Sequence, residues 1–373
     1  MKPNYQPWEV NIDDFYKIKD EREKLKFLLN FAVLAPSGEN CQPWQFEILD
    51  NAIKFFNVPE RDQSLYNFNQ YGSLVAHGAA LENIVIAARH LGYEVKVSLF
   101  PNSADKNLVA FLTFEKSDPV CDPLYDSIHN RTTNRKMYKN IPLTGEQRQN
   151  IFLPNSIYPS VGVQFTEDKN QINELSSAVS VNERLVFENR SIHDFFFSHL
   201  RLTDEENDKM RNGFYIKTLE LQPQQIKAIK LFKSWNVLNI FNRVLGVSRK
   251  ISKDNAKIYK NSAAIGIITI SEVNDSNLVN AGRVFQRIWL KVTESRLSLQ
   301  PVTGVLFFMR RLEVGETNGF TTKQVELVKE AYSIIKSIFS VNDKIITLLF
   351  RIGDGGEPSA RSPRMPMENF IKP

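Results

Sequence analysis

The 373-residue chain holds only two cysteines and five histidines. Cys41 and Cys121 form no pair at metal or redox spacing. His77, His90, His129, His193 and His199 make no ligand pair at helical spacing with a carboxylate, so no metal site is expected. His77 and His90 read as packed or surface-facing rings. No Gly-Lys-Ser or Gly-Lys-Thr marks a P-loop, no Gly-x-Gly-x-x-Gly awaits a pyrophosphate, and no Gly-x-Ser-x-Gly elbow serves a hydrolase. No apolar run is long enough to span a bilayer, and the opening Met1-Lys2-Pro3-Asn4-Tyr5-Gln6-Pro7-Trp8 lacks the apolar core of a signal peptide. RNA-binding, zinc-finger and basic-zipper patterns are absent, and a net charge of +5 is modest for this length. Nucleic acid is therefore not an expected partner, whereas a small anion such as a phosphate suits the weak basic balance. A transmembrane segment is not expected, and the cysteine usage fits a reducing cytoplasm.

What is present is ordinary globular material: 42% apolar and 24% charged residues, enough chain for two domains or one large one. The most informative stretch is Leu34-Ala35-Pro36-Ser37-Gly38-Glu39-Asn40-Cys41-Gln42-Pro43-Trp44-Gln45-Phe46. A helix-like run, predicted from Asp13 to Val33, stops at the turn residues Pro36, Ser37, Gly38 and Asn40. Trp44 to Ile48 then alternates apolar and polar, as a strand does. Asn40 and Gln42 carry short amides that both donate and accept, and Pro43 stiffens the loop behind them. Such a loop reads either as a polar turn between core elements or as an edge for a flat, hydrogen-bonding heterocycle. Cys41 within it reads as a small, half-buried thiol rather than a catalytic one.

Further strands are predicted over 52–58, 93–100, 108–114, 262–270 and 345–352, and an all-round apolar helix over 76–93. Arg131-Thr132-Thr133-Asn134-Arg135 in extended form would aim Arg131, Thr133 and Arg135 to one side. That is good geometry for a phosphate, or simply a solvated basic turn. Thr203 and Glu206 spell a capping box for a short helix ended by Gly213. Residues 226–245 predict one basic amphipathic helix, which suits either a membrane surface or a lid with a solvated basic face. The run Phe195-Phe196-Phe197 suits a ring face or an added core cluster. Near the C-terminus, Gly353, Gly355 and Gly356 precede Arg361 and Arg364.

Ala-Pro-Ser-x-x-Asn-x-Gln-Pro-Trp-x-Phe at 35–46 resembles the flavin-contacting loop of the FMN-dependent nitroreductase superfamily. Arg-x-Thr-x-Arg at 131–135 is similar to the Arg-x-Ser-x-Arg that opens nitroreductase subunits and binds the FMN phosphate, and the Gly-rich turn with Arg361 and Arg364 resembles their C-terminal segment. The segment around Gly282 lines up with that around Gly78, and Leu153-Pro154-Asn155 sits where Ala35-Pro36-Ser37 sits, but the second copy lacks the Asn-x-Gln-Pro-Trp core. The resemblance implies an α+β fold of two repeated halves, 1–122 and 123–373, forming an intramolecular pseudo-dimer, each half a mixed sheet flanked by helices. A lid-like insertion falls at about 191–260. It also implies one FMN per chain, held by Pro36, Ser37, Gly38, Asn40, Gln42 and Trp44 from one half and Arg131, Thr133, Arg135, Arg361 and Arg364 from the other. The layout looks most like the single-chain, Acg-type branch of flavin-binding proteins. The implied activity is NAD(P)H-dependent reduction of a nitro compound, quinone or similar small-molecule electron acceptor, by a monomer or weak homo-oligomer. Non-enzymatic storage or sequestration of FMN is the alternative. Flavin chemistry needs no side-chain nucleophile, which agrees with the missing catalytic motifs.

Overall fold

The computed structural model describes residues 8–152 and 158–372. Two short helices open it, α1 (Ile12–Lys17) and α2 (Glu21–Ala32). The single helix predicted over 13–33 is thus broken. Ile18 turns extended, and the Asp20 carboxylate accepts the Glu23 N–H at 2.9 Å to start the second helix. Strands β1 (Trp44–Ile48) and β2 (Ala52–Asn57) form a hairpin, followed by the 20-residue helix α3 (Tyr71–His90) and strands β3 (Tyr93–Leu99) and β4 (Leu108–Lys116). The sheet is antiparallel in the order β1-β2-β4-β3. Helices α4 (Tyr125–Asn130) and α5 (Gly145–Phe152) then lead to β5 (Val161–Thr166).

A long helical insertion leaves the second sheet after β5. It contains α6 (Lys169–Val179), α7 (Val181–Glu188), α8 (Arg190–His199), β6 (Leu200–Arg201), α9 (Asp204–Met210), β7 (Phe214–Tyr215), α10 (Pro223–Phe232), α11 (Trp235–Leu245) and α12 (Val247–Tyr259). It therefore begins earlier than the 191 expected. Its helix at 226–245 is two helices, parted at Lys233 and Ser234. Helix α9 ends on Arg211, in the left-handed region at φ 56°, and not on Gly213. Thr203 caps α9 through the Glu206 N–H, but Glu206 returns its carboxylate to Leu202 rather than to Thr203. The chain re-enters the sheet with β8 (Ala264–Ile270), α13 (Asp275–Glu294), β9 (Ser298–Pro301), helices α14 (Gly304–Glu313) and α15 (Thr322–Ile338), and β10 (Ile345–Gly353).

The second sheet runs β5-β8-β10-β9, the same order as the first once the insertion is set aside. Helices α3 and α13 occupy equivalent places and cross each other. Their contact is symmetric: a Cβ on Gly78 would strike the Val279 carbonyl, and one on Gly282 would strike the Val75 carbonyl. Glycine is needed at both positions for close approach, not for its backbone freedom. Gly78→Ala and Gly282→Ala are each expected to cost about 1–3 kcal/mol or more through overpacking, read in urea melts. An unchanged midpoint for both would contradict this crossing. The counterpart loop at Leu153-Pro154-Asn155 lies outside the described residues.

The C-terminal tail ties the halves together. Phe46 of β1 donates its N–H to Phe370 at 2.6 Å and accepts from Lys372 at 2.7 Å, so the C-terminal tail lies beside the first sheet. Within the second half, Thr133 bridges Leu299 of β9, at the edge of the second sheet. The fold is α+β, two repeated halves of antiparallel sheet and packed helices.

Candidate functional site

Helix α2 ends at Ala32 beneath the loop 33–42, and a helix end leaves carbonyls without intrahelical partners. Two arginines from the far half of the chain take the carbonyls of the next three residues, Val33 to Ala35. Arg364 donates from Nε to Val33 O at 2.6 Å and from Nη2 to Leu34 O and Ala35 O at 3.1 and 3.3 Å. Arg131 donates from Nη2 to Leu34 O at 2.8 Å. Arg131 lies over the Trp289 ring at 4.5 Å, and Arg364 and Arg361 over Trp8 at 4.8 and 5.2 Å. Arg361 also donates to the His129 carbonyl at 2.6 Å. Arg131 and Arg364 are 2% and 4% exposed, and their hydrogen bonds go to carbonyl and amide oxygens rather than carboxylates.

This concentration of buried charge disfavours the protonated guanidinium of each arginine. Burial, and then the neighbouring Arg364 and Arg361, hold the Arg131 guanidinium well below its usual range. Burial, with Arg361, pushes Arg364 down to about 9. Arg131 Nε is buried without a partner. The negative end of the α2 dipole offsets part of one positive charge, not the sum. An anion placed against Arg131 would supply both the missing acceptor and the missing charge.

The loop itself is held in an uncommon shape. Glu39, Asn40 and Gln42 all have positive φ, at 45°, 55° and 52°. Ser37 Oγ accepts the Gln42 N–H at 3.0 Å and pins the turn. Asn40 Oδ1 accepts from Arg364 at 2.9 Å, while its Nδ2 donates to Pro363 O at 3.0 Å and Arg211 O at 3.3 Å. Gln42 donates to the same Arg211 carbonyl at 2.9 Å and accepts the Met365 N–H at 2.9 Å. Both amides are therefore engaged by the C-terminal tail and by the end of α9. Pro36 is half-buried and Gly38 exposed, with space for a side chain at Gly38. Trp44 is fully buried, edge-on to His77, with its Nε1 unpartnered.

The expected convergence of Arg131, Thr133 and Arg135 on one point is not what the structure holds. Only Thr133 makes the bridge to Leu299, so the segment is not a continuous strand and the period of two does not apply along it. Arg131 turns to the loop, whereas Arg135 turns into the insertion, donating to Thr218 O at 3.1 Å and facing the Phe214 ring at 5.8 Å. There it neighbours Arg351, which is fully buried, stacks on Tyr138 at 3.7 Å and has an unpartnered Nη1. Arg61 is a further participant, donating to Gln42 O and Trp44 O at 3.0 and 2.9 Å. Trp8, Trp289, Arg211, Arg351 and Arg61 carry no motif. Only their bulk or charge within generic runs could have flagged them.

A second polar patch backs the loop. Cys41 Sγ lies 3.5 Å from Asp62 Oδ2, and burial together with Asp62 and Glu39 keeps it a thiol. Loss of water around the Glu39 carboxyl, with Asp62 adding, pushes it up to about 8. A carboxyl raised in this way binds more protons folded than unfolded, so its stabilising share is full below the unfolded value and is lost as pH rises through the folded one. Stability is thus expected to fall between pH 4.5 and 8 from this group, and Glu39→Gln to flatten that slope. An unchanged slope in melts across the interval would contradict it. Among the described residues no group of three or more His, Cys, Asp or Glu could hold a metal ion, and no helix is long and apolar enough to cross a membrane.

No family model matches the chain. An uncharacterised Mycobacterium tuberculosis protein is 23% identical over 283 residues, 75% of this chain and 38% of its own length. The M. tuberculosis protein Rv3131, named as a candidate NAD(P)H nitroreductase, is 28% identical over 127 residues, 34% of this chain and 37% of its own. Another M. tuberculosis candidate NAD(P)H nitroreductase, acg, is 29% identical over 123 residues, 32% of this chain and 37% of its own. The chain thus spans less than two thirds of the length of the curated relatives it matches. Among solved structures, the FMN-dependent nitroreductase NfnB of Mycobacterium smegmatis, in complex with NADPH, is 11% identical. It covers 67% of this chain and 97% of its own at a TM-score of 0.39, a depth that says nothing of function. Over about a third of its length, then, the chain is similar to M. tuberculosis proteins named as candidate NAD(P)H nitroreductases, acg among them.

Proposed function

We propose that this chain binds FMN between its two halves and uses it as an NAD(P)H-dependent oxidoreductase toward small acceptors such as nitro compounds or quinones. The observation that carries the reading is the buried Arg131, with an unpartnered Nε, beside Arg364 and Arg361 at the end of α2. The donor set fits a phosphate: planar, charge-assisted and short of an acceptor. Asn40 and Gln42 would hold the uncharged polar edge of the ring or the ribityl chain, with Pro36, Ser37, Gly38 and Trp44 shaping that wall. Thr133 would complete the second half's share, and Arg135, which is turned toward Thr218, would have to swing toward Arg131 to join it. Bound FMN supplies hydride acceptance and electron delivery. The protein's part is to neutralise the phosphate, orient the ring and exclude water.

The halves are taken to meet near 122/123, so the site is complete within one chain. The support is the tail, which crosses to the first sheet, and Arg131, which crosses to the α2 end.

One observation favours a second reading, that the chain stores FMN. The Arg211 carbonyl of the insertion takes hydrogen bonds from both Asn40 and Gln42. A ring seated on those amides must displace the α9 end or lie beneath it. The two readings part on a lid test. Replacing 204–213 by a short Gly-Ser linker removes the Arg211 carbonyl. It is expected to raise NAD(P)H oxidation at least about tenfold in flavin-loaded protein if the segment gates an enzyme. No turnover in either form, with FMN retained, supports storage.

A further inference from the structure

We infer that helices α10 to α12 form a docking surface for an anionic lipid bilayer. Residues 221–260 contain nine lysines and arginines and one carboxylate, Asp254, which is paired with Lys257 at 2.9 Å. With the whole chain at only +5, the remainder is net acidic, so the basic charge is concentrated on this one bundle. The same stretch exposes large apolar side chains: Leu231 at 49%, Ile240 at 62%, Val244 at 74% and Leu245 at 65%.

The placement of these residues gives the surface its character. Helix α11 buries only Leu238, while Trp235 packs on the His193 ring at 5.2 Å and fixes the inner side. Ile240, Arg243 and Val244 are related by three and four residues, so they share the outward face. Lys227, Lys230, Lys233, Arg249 and Lys250 are exposed before and after it. Apolar side chains among cations, on a helix fixed by its other face, match the acyl and headgroup layers of an anionic membrane together. A second copy of the chain would bring like charges face to face, and a nucleic-acid backbone would leave the apolar side chains without a role. This surface does not depend on flavin binding.

The test is co-sedimentation of the full chain with vesicles of phosphatidylcholine alone or mixed with phosphatidylserine. The expected result is binding to the mixed vesicles only, weakened by salt. Ile240→Ser with Val244→Ser, and separately Lys227→Glu with Lys230→Glu, are each expected to lower partitioning by about tenfold or more. All four side chains are exposed, so the variants should keep the parent melting temperature. Equal binding to both vesicles, or none, would overturn the inference. So would charge variants that weaken binding while the serine pair does not, since that describes an acidic partner. Loss of self-association in the serine pair would overturn it too, by assigning the face to a second copy.

Discussion

Arg131→Ala is expected to lower FMN affinity by roughly ten- to a hundred-fold while changing riboflavin affinity little, because a charge-assisted bond contributes about 1.5–3 kcal/mol and riboflavin has no phosphate. The comparison matters because Arg131 also holds the Leu34 carbonyl. A loss transmitted through folding would weaken both ligands alike, and an equal loss would remove the anchor assignment. Titrations at fixed salt avoid mistaking screening for affinity. Asn40→Ala should weaken both ligands by a similar, smaller factor, at about 0.5–1.5 kcal/mol, since its amide meets an uncharged edge. Arg135→Ala separates the two ends of the site. Its guanidinium sits against Thr218 and not beside Arg131, so its effect on FMN should be smaller than that of Arg131→Ala.

Glu82→Ala should cost about 3–5 kcal/mol of stability, among the largest single effects in the fold. Glu82 is 1% exposed on α3 and pairs with Arg283, at 2.7 Å, and Arg287 of α13. The two arginines hold its carboxyl below the usual range despite burial. Removing it leaves two half-buried cations, one turn apart on α13, without their counter-charge at the junction of the halves. Replacing Arg283 and Arg287 by Met in the same variant should recover much of the loss, because apolar groups of similar volume do not need a counter-charge. If Glu82→Ala melted like the parent, the buried triad would not be a fastening of the pseudo-dimer.

The strands were largely legible because alternation at β1 and β3, and continuous apolar runs at β4, β8 and β10, are local patterns. The buried helix α3 was legible from its apolar run, and Gly282 was aligned with Gly78 as part of a repeat, but that the two glycines pack against each other's helices was not. The breaks at Ile18–Asp20 and Lys233–Ser234 were not, although Asp20 with Glu23 is a cap signature in plain view. Hydrophobic period continued through both breaks and won over the cap. The residue types at the site were also visible, but their partners were not. Arg364 and Arg131 meet backbone carbonyls just past a helix end far along the chain. The group that closes the loop is the Arg211 carbonyl, which every residue has and no motif encodes. Arg131 and Arg135 part because one bridge at Thr133 does not make a strand.

The most direct measurement is calorimetric titration of the purified, flavin-free chain with FMN under conditions where sedimentation shows a monomer. Saturation at one FMN per chain, with riboflavin much weaker, is expected from a site built once, from the loop of one half and the arginines of the other. Two equivalents, no binding, or binding that appears only in a dimer would contradict it.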